Sequence, residues 1–166
     1  MARKVSVILS HWYNLVEGLQ DSTQRFYTAL EQAVRARQME KIDLSRIDYS
    51  EGGIFSDKRE YFRVRRRDHI FDICAAPFGN GFFVSWWLGE SLGPLWTMIL
   101  KIPILGMMLL KLFCPETYYR FDTALMFQSS VHSAVMEVID QTTNAKGIRT
   151  LTESERKPIL SSLFNK

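Results

Sequence analysis

The spacing of apolar positions changes character several times along this chain. Over residues 1–40, Val5, Ile8, Leu9, Trp12, Leu15, Val16 and Leu19 recur at intervals of three and four, the signature of one helical stripe. Phe26, Leu30, Ala33 and Val34 continue the stripe. Gly18, followed by Asp21 and Gln24 as a capping box, predicts an amphipathic helix that can break near Gly18. Residues 42–89 read differently. IDLSRIDY, KREYFRVRRR, HIFDICAA and GFFVSWWL are short, rich in β-branched and aromatic residues, and separated by turn formers. The tight separators at Arg67–Asp68 and Pro77–Gly81 predict antiparallel pairing, because a parallel crossover needs a dozen residues or more. Within KREYFRVRRR, Phe62 and Val64 fall on one face and Arg63 and Arg65 on the other.

Residues 92–113, LGPLWTMILKIPILGMMLLKLF, carry no acid, two lysines and two prolines. A bilayer core about 30 Å thick takes roughly 20 apolar helical residues to cross. Lys101 would sit deep in hydrocarbon, at a cost of about 2.5–3.5 kcal/mol, whereas Lys111 can snorkel to the headgroups. Pro103 and Gly106 predict a kink. The segment therefore reads as a kinked span, a re-entrant hairpin or a helix lining a wet path, with a buried hairpin as the bland counterpart. Trp86, Trp87 and Trp96 on one side, and Tyr118 and Tyr119 on the other, bracket it as interfacial aromatics do. On a helix Thr97, Lys101 and Met108 fall within about 40° of one another. Several copies could thus place Lys101 in a shared aqueous lumen, whose basic ring would favour anions.

A helix is expected after this segment, with Phe121, Leu125, Gln128, His132, Val135 and Ile139 on one face, ending before Gly147. Thr152 and Glu155 predict a second capping box, opening a short helix kinked by Pro158. The expected architecture is a single α+β domain over residues 1–166. It comprises the N-terminal helix, a four-stranded antiparallel meander, residues 92–113 as an embedded membrane segment, and C-terminal helices.

Composition permits a packed core, with 46% hydrophobic and 23% charged residues, and a net charge of +3 is too small to imply nucleic acid by itself. The start, MARKVSVILSHWYN, lacks the uninterrupted apolar core of a signal peptide. The polar part is therefore expected on the cytoplasmic side, with the apolar segment in the inner membrane.

Candidate chemistry is sparse. His11, His69 and His132 lie in different elements without metal-ligand spacing, and Cys74 and Cys114 sit in unrelated apolar contexts. Asp122 and His132 would point about 80° apart on one helix. No catalytic group, metal, cofactor or small-molecule substrate is expected. The densest charge is Lys58, Arg59, Arg63, Arg65, Arg66 and Arg67. Such a patch suits anionic lipid headgroups or nucleic-acid phosphates, or simply a solvated strand edge. An adaptor binding a protein or RNA through this basic sheet is the alternative to a homo-oligomeric pore.

Arg63 and His69 also form an R-x5-H spacing, inside the R-x4–6-H signature of HEPN ribonucleases. With the small basic chain and its hydrophobic segment, the layout resembles the membrane accessory proteins of type VI-B RNA-targeting CRISPR systems. That resemblance implies an inner-membrane ring that permeabilises the cell in antiphage defence beside an RNA-guided effector complex. HEPN domains carry the motif on a helix, whereas strands or a turn are expected here. A ribonuclease using Arg63 and His69 is therefore a further alternative, and no catalytic residue is carried over.

Overall fold

In the computed structural model, which describes residues 7–50, 58–91 and 117–160, the chain runs β1 (Val7–Glu17), α1 (Thr23–Ala36), β2 (Ile42–Ser50), β3 (Lys58–Arg66), β4 (His69–Phe78), β5 (Gly81–Glu90), α2 (Tyr118–Ala145) and β6 (Ile159–Leu160). The strands form one antiparallel sheet in the order β2-β3-β4-β5-β1-β6. Turn chemistry sets its register. Arg67, at φ 53°, closes the β3–β4 hairpin so that Arg66 opposes His69. Gly79, at φ 57°, closes β4–β5 with Phe78 opposite Gly81.

Both helices lie on one face of the sheet. Alternation sends Trp12, Val16, Phe62, Val64, Phe71, Ile73, Phe82, Val84, Trp86 and Leu88 to that face, where all are buried. From α1, Phe26 packs 5.5 Å from Phe82, and Tyr27 inserts between strands, its hydroxyl donating to the Glu60 carbonyl and accepting from Ala75 N–H. From α2, Phe127 meets Phe71 edge-on at 6.0 Å. Two polar pairs are buried at the same seam: Ser10 Oγ donates to Gln128 Oε1, and Trp86 Nε1 to His132 Nδ1 at 3.1 Å.

Caps define the helix ends. The Ser22 hydroxyl accepts from Arg25 N–H to start α1, and the Thr117 hydroxyl from Arg120 N–H to start α2. Beyond α2, Gly147 takes φ 65°, a conformation that favours glycine, and turns the chain back along β1.

Several expectations are corrected. The described residues form one six-stranded antiparallel sheet with two helices, where the expected α+β arrangement had a four-stranded meander with a membrane segment. The supposed N-terminal helix is strand β1 followed by α1, the break falling at Gly18 (φ 72°) and Leu19. Pairing with β5 along its length overrides the three-and-four spacing. The meander is enlarged by β1 and β6 into a six-stranded sheet. Thr152 and Glu155 do bond reciprocally, but they close a turn, and Ile159–Leu160 pairs with β1 where a helix was expected. On α2, Leu125 is exposed, while Ala124, Phe127 and Val131 face the core. Among the described residues no helix is long and apolar enough to cross a membrane. Residues 92–113, with Trp96, Thr97, Lys101, Met108 and Lys111, lie outside the described residues, as does Cys114.

Candidate functional site

The face of the sheet turned away from both helices carries a polar row in register across five strands: Ser45, Arg63, Asp72, Trp87 and His11. Its centre is an ion pair. Arg63 donates from Nε to Asp72 Oδ1 and from Nη2 to Asp72 Oδ2, each at 2.7 Å, with both side chains over nine-tenths buried. Tyr49, on β2, closes a triangle: its hydroxyl donates to Asp72 Oδ2 at 3.0 Å and accepts from Arg63 Nη2 at 2.6 Å. Burial, then the Asp72 charge, pushes the Tyr49 phenol up to about 12, so it stays a neutral donor. The bidentate fork keeps the two charges satisfied out of water.

Around this pair lie rings. His11 stacks on Trp87 at 4.8 Å, and Tyr49 meets Tyr61 edge-on at 5.2 Å. Tyr13 is 60% exposed and Trp87 42%. Cys74 is buried among them, and desolvation raises its thiol above the ordinary value, which disfavours the nucleophilic thiolate. Among the described residues no cluster of His, Cys, Asp and Glu could hold a metal ion.

A second cluster ties the end of β5 to the start of α2. Arg120 Nη2 reaches both carboxylate oxygens of Glu90 at 3.2 Å, and His69 Nε2 lies 3.4 Å from Glu90 Oε1. The His69 ring, with help from Arg120, holds Glu90 below the usual carboxylate range against the opposing effect of burial. Residues 91 and 117, where the described chain leaves and returns, are thereby held at one end of the sheet.

The residues singled out in the sequence scatter. Trp86 is wholly buried against Phe71, at 4.6 Å, and its indole N–H is spent on His132, so no ring surface is left for a headgroup. Trp87 sits on the face turned away from α1 and α2, and Tyr118 and Tyr119 are exposed on the first turn of α2. The six cations do not make one patch. Lys58 and Arg59 open β3 exposed to solvent, while Arg63 is engaged by Asp72. Arg65 bonds the Arg67 carbonyl, Arg66 turns to the other face and bonds the Glu40 carbonyl, and Arg67 is a turn residue. Arg63 and His69 fall on opposite faces of the sheet, His69 packing 6.4 Å from Phe127 beneath α2. That placement gives them no shared substrate.

Sequence reasoning missed Asp72, Tyr49, Glu90 and Arg120. The first had a signal, since a two-residue turn at Arg67–Asp68 pairs 66 with 69 and therefore 63 with 72. No family model matches the chain, and no curated protein or solved structure matches it either.

Proposed function

We propose that this protein is a non-enzymatic, membrane-attached binding module whose residues 92–113 enter and leave one side of a bilayer. The observation that carries the reading is the Glu90–Arg120 ion pair. It marks the two ends from which the apolar stretch departs as lying side by side, where the packing of α2 on the sheet through Phe127 and Gln128 keeps them, so a single crossing would have to pull α2 from the sheet. Two legs of about a dozen residues each reach about 18 Å as helix, short of a hydrocarbon core of about 30 Å. Insertion into one leaflet fits this length. It also lets Lys101 and Lys111 return to the headgroups, which a transmembrane ring does not offer both of them. The exposed Tyr118 and Tyr119 lie at the point of return, where interfacial rings are favoured. Attachment to the inner membrane, with the sheet on its cytoplasmic side, is part of this reading. The pore and the antiphage role implied by the CRISPR resemblance would need several such insertions to line one path.

Fractionation tests it. The full chain should sediment with membranes and resist carbonate, whereas a variant with residues 92–116 replaced by a short Gly-Ser linker should fold and stay in the supernatant. Recovery of the full chain without membranes or detergent would overturn the reading.

The exposed rings on the face turned away from α1 and α2 favour a second role for the same sheet, stacking with the bases of single-stranded RNA. Tyr13, Trp87 and Tyr49 offer ring surface there, with Arg59 directly opposite Tyr49 on β3. Trp87→Ala with Tyr13→Ala should weaken binding of a labelled oligonucleotide at least tenfold. Equal binding by wild type and double variant would remove this role.

A further inference from the structure

We infer that the edge strand β2, unpaired on its outer side among the described residues, is a self-association surface, pairing antiparallel with β2 of a second copy about a twofold axis at Ile47. The two edges of the sheet are treated differently. Along β1, β6 pairs with Ser10 and His11, the Trp12 indole N–H donates to the Glu155 carbonyl at 2.6 Å, and Ile148, Arg149 and Leu151 face Asn14–Glu17 across a small cavity. That edge is occupied. β2 presents nine residues, paired on one side only with β3 among the described residues, so a row of backbone donors and acceptors faces outward.

Its side chains select one register. A twofold axis perpendicular to the sheet keeps the helix-bearing face common to both copies, so residues pair only with others of the same face. Centred on Ser45, that rule matches no opposite charges. Centring on Arg46 or on Asp48 sets a like charge against itself. Centred on Ile47 it sets Arg46 against the second copy's Asp48 twice, Ile47 against Ile47, and Ser45 against Tyr49. Asp48 supplies the independent pointer. It is exposed, lies directly opposite another carboxylate, Glu60, in the β2–β3 ladder, and has no ion-pair partner among the described residues. Arg46 is held on the helix-bearing face, its guanidinium 4.5 Å above the Tyr27 ring and 3.4 Å from Glu60, so pairing with a second copy's Asp48 requires it to turn from Glu60 toward the edge. A second copy's Arg46 would supply the cation that Asp48 lacks. The inference does not depend on membrane attachment, and it would join two sheets into one continuous twelve-stranded sheet.

Cross-linking of the full chain, in detergent where it fractionates with membranes, tests the register. Directly opposed residues lie about 4.5–5.5 Å apart at Cα, within disulfide range. Under a mild oxidant, Ile47→Cys should therefore give a covalent dimer, and Ser45→Cys alone should not. Asp48→Arg should lower the dimer fraction in light scattering about tenfold, and adding Arg46→Asp should restore it. A monomer at every concentration, equal cross-linking at positions 45 and 47, or a wild-type dimer fraction in Asp48→Arg would each overturn the inference. Should the charge-reversed pair fail to fold, the cross-linking result alone decides.

Discussion

Asp72 lies directly opposite Arg63 across the β3–β4 ladder and receives both its Nε and Nη2 at 2.7 Å. The most basic stretch of the chain is thus neutralised at its centre, and its strongest charge pair serves to fix a face rather than to attract a ligand. Removing one partner strands the other. Arg63→Ala should cost about 3–5 kcal/mol in chemical denaturation, as breaking a buried pair does. Replacing both together, Arg63→Met with Asp72→Leu, should recover most of that loss. A single variant within 1 kcal/mol of wild type, roughly the worth of an exposed pair, would show that the pair contributes nothing beyond a surface contact.

Acid should loosen the seam between α2 and the sheet. Burial lowers the His132 pKa, its ring being held neutral beneath Trp86. The unfolded chain takes up that proton near its ordinary pKa of about 6.5, before the folded chain does. The stability contributed by the neutral ring is therefore complete above that pH. It falls as pH drops below it, until the lower folded value is reached. Urea midpoints measured between pH 8 and 5 should show this loss, and His132→Phe should flatten it. The same variant leaves the Trp86 indole N–H without an acceptor, at a cost of about 1–3 kcal/mol at neutral pH.

Gly81 is confined by backbone. A Cβ there would lie 2.8 Å from the Val16 carbonyl oxygen and 3.1 Å from a Leu15 methyl, so β1 and β5 would have to part. Gly81→Ala should destabilise the fold by about 1–3 kcal/mol. Gly79→Ala, with open space around it but φ 57°, should lose only about 1–2 kcal/mol through backbone strain. Thermal melts of the two variants separate the causes if Gly81→Ala also weakens hydrogen-exchange protection along β1.

What the sequence disclosed follows from how cleanly each element alternates. In β3, Phe62 and Val64 point inward and Arg63 and Arg65 outward, and the strand was legible. In β1 the inward positions include Ser10 and Asn14, while Ile8, Tyr13 and Leu15 decorate the outer face, so the period of two is blurred. Trp12 and Val16 are four apart and satisfy a helix equally well. Leu9, where the register slips between Ile8 and Ser10, adds another apolar position out of phase. In α1 the stripe of Phe26, Leu30, Ala33 and Val34 is unambiguous and buried. The candidate site was less legible because its partners are distant in sequence: Tyr49 reaches Asp72 only once β2, β3 and β4 are in register, and Glu90 meets Arg120 across the whole apolar segment.

The Glu90–Arg120 pair is a clasp of modest strength. Each member is about a quarter to a third exposed, so Arg120→Ala should cost about 1 kcal/mol or less at neutral pH. The low Glu90 pKa gives the clasp its full value above the ordinary carboxylate range, and its contribution should disappear as pH falls through the folded value. Wild type and Arg120→Ala should therefore converge in stability in acid, a comparison that equilibrium denaturation followed downward from pH 7 makes directly.

Sidedness is the most direct measure of the central claim. Asn80 lies in the exposed β4–β5 turn and Thr117 immediately after the apolar stretch. With Cys114 replaced by serine and Cys74 buried, single cysteines at these two positions can be labelled by an impermeant maleimide in oriented membrane vesicles. Both should react from the same side, before and after the vesicles are inverted. Labelling of Asn80→Cys from one side and Thr117→Cys from the other would mean that the segment crosses the bilayer, and would contradict the account.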